Sequence, residues 1–309
     1  MQDKTNIKEV LNEKEGFQIW WRLLRPHTLT ASFVPVFVGT MFAFNDGTIE
    51  IRLFLAMLLA SILIQAATNM FNEYYDFIRG LDNEQSVGIG GTIVRDGIAP
   101  KTILNLAFTF FGIAILLGVY ICMESSWWIA VIGLISMLFG YLYTGGPFPI
   151  AYTPLGELFS GFFMGTVIIG ISYYIQTLSV TVDVILISIP VAIFIASIML
   201  ANNIRDLDGD KQNGRKTIAI LIGRKQAVKL MGFLFTASYV LTVLYIILGI
   251  LPILSIVVIL SSIKARNVIK NFEGKTKPIE MLPAMIATGK TNTLYGILLG
   301  LSLLISHFI

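Results

Sequence analysis

The sequence predicts an all-α, polytopic membrane protein, and three observations carry that reading. Of 309 residues, 55% are hydrophobic and only 13% charged, with a mean hydropathy of +0.78; soluble chains carry about 25% charged residues. Nearly every stretch between charge clusters is an apolar run of about 17 residues or more, long enough to cross a hydrocarbon core about 30 Å thick. The basic residues fall almost entirely on alternate loops. Soluble, fibrous and disulfide-rich classes are thereby excluded, and the lone Cys122 can form no internal bridge.

Taken in chain order, residues 1–27 form a cytoplasmic N-terminal segment. Its first 25 residues mix Lys4, Lys8, Lys14, Arg22 and Arg25 with Asp3, Glu9, Glu13 and Glu15 and have no apolar core, so they do not read as a signal peptide. Within it, Phe17, Trp20, Trp21 and Leu24 share one helical face beside two arginines, which predicts a short helix lying in the membrane interface. Residues 28–309 read as one transmembrane domain of nine helices around a central cavity. The expected spans are 28–45, 53–75, 102–123, 127–144, 155–177, 184–204, 227–247, 249–263 and 292–308. The apolar hairpin at Leu248-Gly249-Ile250-Leu251-Pro252 separates the seventh span from the eighth. Trp127 and Trp128 open the fourth span as an aromatic belt. Gly161 and Gly165, like Gly296 and Gly300, have the small-xxx-small spacing of helix packing.

Lys and Arg concentrate in cytoplasmic loops. On these spans, all but Arg52 of the 22 basic residues fall on the N-terminal segment or after spans 2, 6 and 8, placing the N-terminus inside and the C-terminus outside. The net charge of +3 is then a topology signal and makes no case for nucleic-acid binding.

Acidic residues at span ends need a reason, because a carboxylate in hydrocarbon costs about 2.5 to 3.5 kcal/mol. Two clusters stand at matching cytoplasmic ends. After span 2 the chain reads Asn72-Glu73-Tyr74-Tyr75-Asp76-Phe77-Ile78-Arg79-Gly80-Leu81-Asp82; after span 6 it reads Asn202-Asn203-Ile204-Arg205-Asp206-Leu207-Asp208-Gly209-Asp210. Asn202, Asp206 and Asp210 stack along one helical face, as do Asn72 and Asp76, and Gly80 permits a turn that brings Asp82 back toward them. The repeat suggests two similar halves, about 28–146 and 155–309. Oxygen-only ligands from separate segments suit Mg²⁺, which takes one or two carboxylates together with waters and phosphate oxygens. Arg79, Arg95, Arg205, Lys211, Arg215 and Lys216 lie near these acids and can neutralise a phosphate ester. Gly88, Gly90 and Gly91 can add backbone amides. Glu73, Glu84 and Asp208 fall off the stacked face and are expected to be solvated, and Glu157 is open to either reading. His27 and His307 lack a catalytic partner and read as structural.

A transporter is the competing class, but the middles of all nine spans lack Asp, Glu, Lys, Arg and His, whereas ion-coupled carriers usually place an ionisable group there. Charge at the cytoplasmic mouth above an apolar cavity suits a substrate with a diphosphate head and a hydrocarbon tail.

With these motifs in place, the chain resembles the UbiA superfamily of intramembrane aromatic prenyltransferases. The resemblance runs from Arg25-Pro26-His27-Thr28-Leu29 through the Gln65–Asp76 stretch and Tyr143-Thr144-Gly145-Gly146-Pro147 to Asn202–Asp206, Lys216-Thr217 and Gln226. It implies nine helices and two Asp-rich motifs holding Mg²⁺ and a polyprenyl diphosphate. On that basis Asn72, Asp76 and Asp82 make the first motif and Asn202, Asp206 and Asp210 the second. Arg205 and Lys216 contact phosphate oxygens, Arg79 and Arg95 support them, and Tyr143 faces the allylic carbon. The motifs are most like those of members that prenylate 1,4-dihydroxy-2-naphthoate with loss of CO₂, in the bacterial plasma membrane. Two departures stand out. Glu73 replaces an Asp common among relatives, and the loop after Tyr143 lacks the Tyr-Pro-x-x-Lys-Arg of hydroxybenzoate enzymes. Arg25 is left as the candidate partner for the acceptor's carboxylate.

Overall fold

The computed structural model describes residues 16–82 and 91–309, and among these every regular element is helical. Apolar side chains around the full circumference favour helices in lipid, because a helix satisfies its backbone polar groups within itself. The chain runs through a short α1 (Phe17–Leu23), α2 (Thr30–Ala43), α3 (Ile51–Ile78), a one-turn α4 (Thr92–Asp96), α5 (Pro100–Glu124) and α6 (Trp128–Leu142). It continues with α7 (Gly156–Thr177), α8 (Val182–Gln212), a one-turn α9 (Ile218–Ile222) and α10 (Arg224–Ile247). A 3-10 stretch (Ile253–Ser261) then leads into α11 (Ser262–Phe272), and α12 (Pro278–Ser306) ends the chain.

Five of these helices, α3, α5, α7, α8 and α10, are long and apolar enough to cross a membrane. At about 1.5 Å per residue, the 28-residue α3 is roughly 42 Å long and the 31-residue α8 roughly 46 Å. Both overshoot a hydrocarbon core of about 30 Å by about two to three turns. Leu55, Leu116, Leu138, Phe233, Val240 and Leu301 are exposed on the outer surface, an arrangement suited to lipid and adverse in water.

The hairpin after α10 turns at Gly249 (φ +74°) and Pro252, as its sequence implies. Two expected boundaries move. The last helix begins at Pro278, well before residue 292, because Lys290 and Glu280 interrupt the apolar run without interrupting the helix, and Lys290 points outward. The helical segment expected over 249–263 begins after Pro252 and continues to Phe272. In α1, Phe17, Trp20 and Trp21 are exposed while Leu23 packs inward, and Arg22 pairs with Asp96 at 2.6 Å.

Around the bundle, α2 packs against α12 and α7, α3 against α5, and α8 against α10 and α12. Small residues set the close approaches. A Cβ on Gly165 would stand 2.6 Å from Ala192 Cα, and one on Gly161 would stand 2.7 Å from Ala192 O. Gly296 and Gly300 likewise meet Val34 and Phe37 of α2. The first pair lies in a π-helical segment, Gly161–Val167, whose wider winding turns Phe163 and Met164 toward the interior.

Gly165→Ala should therefore destabilise the bundle by about 1–3 kcal/mol through overpacking. Gly112→Ala, where a Cβ meets nothing within 4 Å, should be neutral or mildly stabilising. Thermal unfolding of both variants in detergent measures the difference; equal midpoints would mean that α7 and α8 do not meet at Gly165.

Candidate active site at the mouth of the cavity

Local turns bring the charged residues together. α3 ends in a left-handed turn at Gly80 (φ +72°), where the N–H groups of Leu81 and Asp82 donate to the Asp76 carbonyl at 2.8 and 3.3 Å. Asp82 is thus folded back over Asp76. α8 ends the same way four residues after its last aspartate. Gly214 (φ +79°) reverses the chain and the Arg215 N–H donates to the Asp210 carbonyl at 3.0 Å. The first turn returns a carboxylate to its motif and the second returns a guanidinium.

These ends face each other across a cavity of about 610 Å³. Asn72, Asp76 and Asp82 line it from one side and Asn202, Asp206 and Asp210 from the other, with Arg25, Arg95, Arg205, Arg215, Tyr143 and Gly91. Arg215 joins the motifs: Nη2 donates to Asp76 Oδ1 at 2.6 Å and Nη1 to Asp210 Oδ1 at 2.9 Å, while the guanidinium lies over the Tyr152 ring. Burial opposes its charge, and Asp76 and Asp210 more than offset that, holding it above the ordinary arginine range. Arg205 grips Asp206 with two hydrogen bonds, at 2.7 and 2.5 Å. Asp206 keeps 37% side-chain exposure against 12% for Asp76 and 10% for Asp210, so it is more open to an arriving cation than either of these. Burial and the nearby Asp76 push the Asp82 carboxyl up to about 6, against the pull of Arg25.

Among the described residues no three Asp, Glu, His or Cys side chains converge on one point; arginines hold the carboxylates in pairs. The donor set still fits a hard divalent ion, being all oxygen, drawn from two facing helices and open to one cavity. Asn72, Asp76, Asp82, Asn202, Asp206 and Asp210 are the residues able to hold it.

Several residues stand elsewhere than expected. Lys216 is exposed and off the cavity wall; its backbone N–H donates to the Tyr152 carbonyl at 3.0 Å. Arg79 also leaves the wall. Its guanidinium donates to the carbonyls of Thr144 and Gly146 and lies over the rings of Tyr75 and Tyr152, which ties α3 to the loop after α6. Glu73, expected in solvent, is buried: Oε1 accepts from Thr92 Oγ1 at 2.5 Å and from Ile93 N at 3.2 Å. It anchors the start of α4, where an anion meets unpaired N–H groups. Glu157 is buried too and accepts from Asn203 Nδ2 at 2.9 Å. Asp208 is exposed beside Arg224, as its place off the stacked face implies. Of the glycine stretch, Gly88 and Gly90, with Glu84, lie outside the described residues; Gly91 (φ +72°) seats the Arg95 guanidinium, where any Cβ would collide. Arg215, which the sequence offers only as one of six basic residues near the acids, is the one that joins the two motifs. Its signal was the repeated Asp-x-x-x-Gly, Asp76 to Gly80 and Asp210 to Gly214, which predicts the same turn twice.

Below this charged layer the wall becomes apolar. Gly118, Ile121, Gly133, Met137, Phe163 and Ile198 line it. Phe139 stacks on Phe159 and Phe163 with ring centroids 5.1 and 4.7 Å away. The site can therefore hold an anionic, metal-bound head at its mouth and a hydrocarbon tail beneath.

Comparison with known proteins identifies relatives of this chain. The chain is 56% identical over 96% of both sequences to the 1,4-dihydroxy-2-naphthoate octaprenyltransferase of Bacillus subtilis. It is 29% identical to the enzyme of that name from Haemophilus influenzae, over 70% of this chain and 72% of the other. A UbiA homolog from Archaeoglobus fulgidus, solved with GPP and Mg²⁺, superposes with a TM-score of 0.65 at 17% identity, covering 93% of this chain and 99% of the other. Residues 32–277 match the model of the UbiA prenyltransferase family. With that match, the close Bacillus relative and the shared helical architecture, this chain belongs to the UbiA prenyltransferase family.

Proposed function

We propose that the chain transfers a polyprenyl group from its diphosphate to 1,4-dihydroxy-2-naphthoate, with Mg²⁺ and with loss of CO₂, giving a demethylmenaquinol. The observation that carries this is the facing of the two Asp motifs and their arginines across one cavity whose deeper walls are apolar. The Bacillus subtilis relative supports the choice of acceptor. The protein is read as a multi-pass protein of the bacterial plasma membrane. Nine spans are proposed, in two similar halves (28–146 and 155–309), with the N-terminus cytoplasmic and the C-terminus outside. The uneven distribution of Lys and Arg supports that orientation.

For the reaction, Asn72, Asp76, Asp82, Asn202, Asp206 and Asp210 are the residues that would hold the metal. Mg²⁺, when bound, supplies positive charge that stabilises the departing diphosphate. Arg205 and Arg215, which neutralise Asp206, Asp76 and Asp210 here, are the chain's own donors for diphosphate oxygens. The allylic carbon–oxygen bond breaks with its electron pair on the diphosphate. Apolar walls below keep water from the resulting cation. Tyr143, on the cavity wall with the acids, presents its π-face to that cation. The electron-rich ring then forms the new carbon–carbon bond.

Purified protein given dihydroxynaphthoate and a labelled prenyl diphosphate should yield a lipid product with Mg²⁺ and none with EDTA. Product with a different aromatic or lipid acceptor only would redirect the assignment within the fold, and movement of unchanged substrate across liposomes would indicate a transporter. Asp76→Asn and Asp206→Asn should each lower turnover at least about a hundredfold in folded protein; near-normal rates in either would remove that motif from the site. Tyr143→Phe should keep most activity while Tyr143→Ala loses about tenfold, and equal rates would reduce Tyr143 to a wall residue. With Cys122 replaced by Ala, an impermeant maleimide should label Ile309→Cys from outside intact cells; labelling only after lysis would invert the topology.

A further inference from the structure

The turn leading into α2 holds a strained residue. Arg25 has φ +52°, in the left-handed region, a conformation it shares only with Leu178 among the described non-glycine residues. Such an outlier persists only where its surroundings over-determine it. Here they do. Thr28 N and Thr28 Oγ1 both donate to the Arg25 carbonyl, at 2.8 and 2.9 Å. Asn69, buried on α3, donates from Nδ2 to Leu24 O and to Thr28 Oγ1, both at 2.9 Å. One amide of α3 thus braces the chain on both sides of Arg25.

The side chain this turn presents is unusual among the cavity arginines. Arg205 and Arg215 are neutralised by aspartates, whereas Arg25 forms no ion pair with any described residue; its Nε, like that of Arg215, is shut from solvent without a hydrogen-bond partner. Gln65, Thr68 and Asn69 line the same wall, about two to three turns below Asp76 on α3, so a neutral polar belt lies between the charged mouth and the apolar floor. A planar guanidinium without a direct ion pair, lining one cavity with these amides and hydroxyls, matches an aromatic ring bearing one carboxylate and phenolic hydroxyls, because the Arg fork binds carboxylate with two parallel hydrogen bonds. A diphosphate is the other anion in reach, but Arg205 and Arg215 already stand at the motifs that would hold it.

Resting on the reaction assigned above, we propose that Arg25 anchors the carboxylate of the aromatic acceptor and that Asn69 and Thr28 are positioning residues that hold it there. Held by its carboxylate, the acceptor presents the carboxylate-bearing ring carbon to the allylic cation. The new carbon–carbon bond forms at that carbon. The bond to the carboxylate then breaks with its electron pair returning to the ring, and CO₂ leaves Arg25.

The test compares two non-substrate probes, 1-hydroxy-2-naphthoate and 1-naphthol, binding to the full-length protein by naphthalene fluorescence. The wild type should favour the carboxylate probe about tenfold or more. Arg25→Gln should erase that preference, Arg25→Lys should keep part of it, and Asn69→Ala should weaken it with Arg25 in place. In turnover, Arg25→Gln should raise KM for dihydroxynaphthoate and leave KM for the prenyl diphosphate unchanged. A retained preference in Arg25→Gln, or a rise confined to the diphosphate KM, would overturn the proposal. Should Arg25→Gln bind neither probe, Arg25→Lys decides, since an undiminished preference there overturns it equally. Failure of the wild type to turn over dihydroxynaphthoate would instead refute the assigned reaction.

Discussion

The bridge from Asp76 through Arg215 to Asp210 is the interaction on which the site's geometry depends. It joins the end of α3 to the end of α8, helices that reach the same place from distant parts of the chain. Four aspartates line the mouth of the cavity, and four arginines line it with them. Without that balance the acids would repel one another in a partly buried setting where the effective dielectric is low. Removing one partner of a buried pair is more damaging than never having placed the pair, because the remaining charge has no solvent to turn to. The arginines therefore keep the acids assembled at the mouth of the cavity.

That constraint also explains the layering of the cavity. Charges can cluster only where α3 and α8 outrun the hydrocarbon. Neutral amides and hydroxyls follow about two turns deeper, and apolar side chains fill the rest. The order suits the chemistry, since a leaving diphosphate needs charge around it and the carbocation it leaves behind needs a dry wall. Close packing of α7 on α8 through Gly161 and Gly165 defines part of that wall, with the π-helical segment aiming Phe163 inward.

Much of this was legible in the residues. The four-residue spacing of the motifs, the return of Asp82 through Gly80, the hairpin at Gly249 and the packing role of the glycine pairs all follow from local rules, and each rule acts within a few residues. What was not legible depends on contacts between remote segments. Glu73 reads as solvated because its own helix turns it away from the acid face, yet α4 comes to meet it through Thr92 and Ile93. Arg79 and Lys216 sit near the acids in sequence, but a long side chain points wherever its tertiary neighbours allow. Carbonyls of the loop after α6 capture Arg79, and the turn at Gly214 delivers Arg215 to the acids while Lys216 faces out. The early start of α12 escaped a hydropathy reading because an exposed Lys290 ends an apolar run without breaking backbone hydrogen bonds.

The loop after α6 draws these points together. It has no basic residue, the departure that set it apart from the hydroxybenzoate enzymes. In the structure its carbonyls at Thr144 and Gly146 bind Arg79, and its Tyr152 ring lies beneath both Arg79 and Arg215 while Tyr152 O accepts from Lys216 N. The loop is thus an aromatic and carbonyl platform that fixes the arginine joining the two motifs. A cation placed in it would compete with Arg79 and Arg215 for the same electron-rich surfaces. A partner for an acceptor's negative charge is better sought on another wall, and the strained Arg25 at the entry to α2 offers one: no described carboxylate forms a direct ion pair with it, although its charge is felt at Asp82.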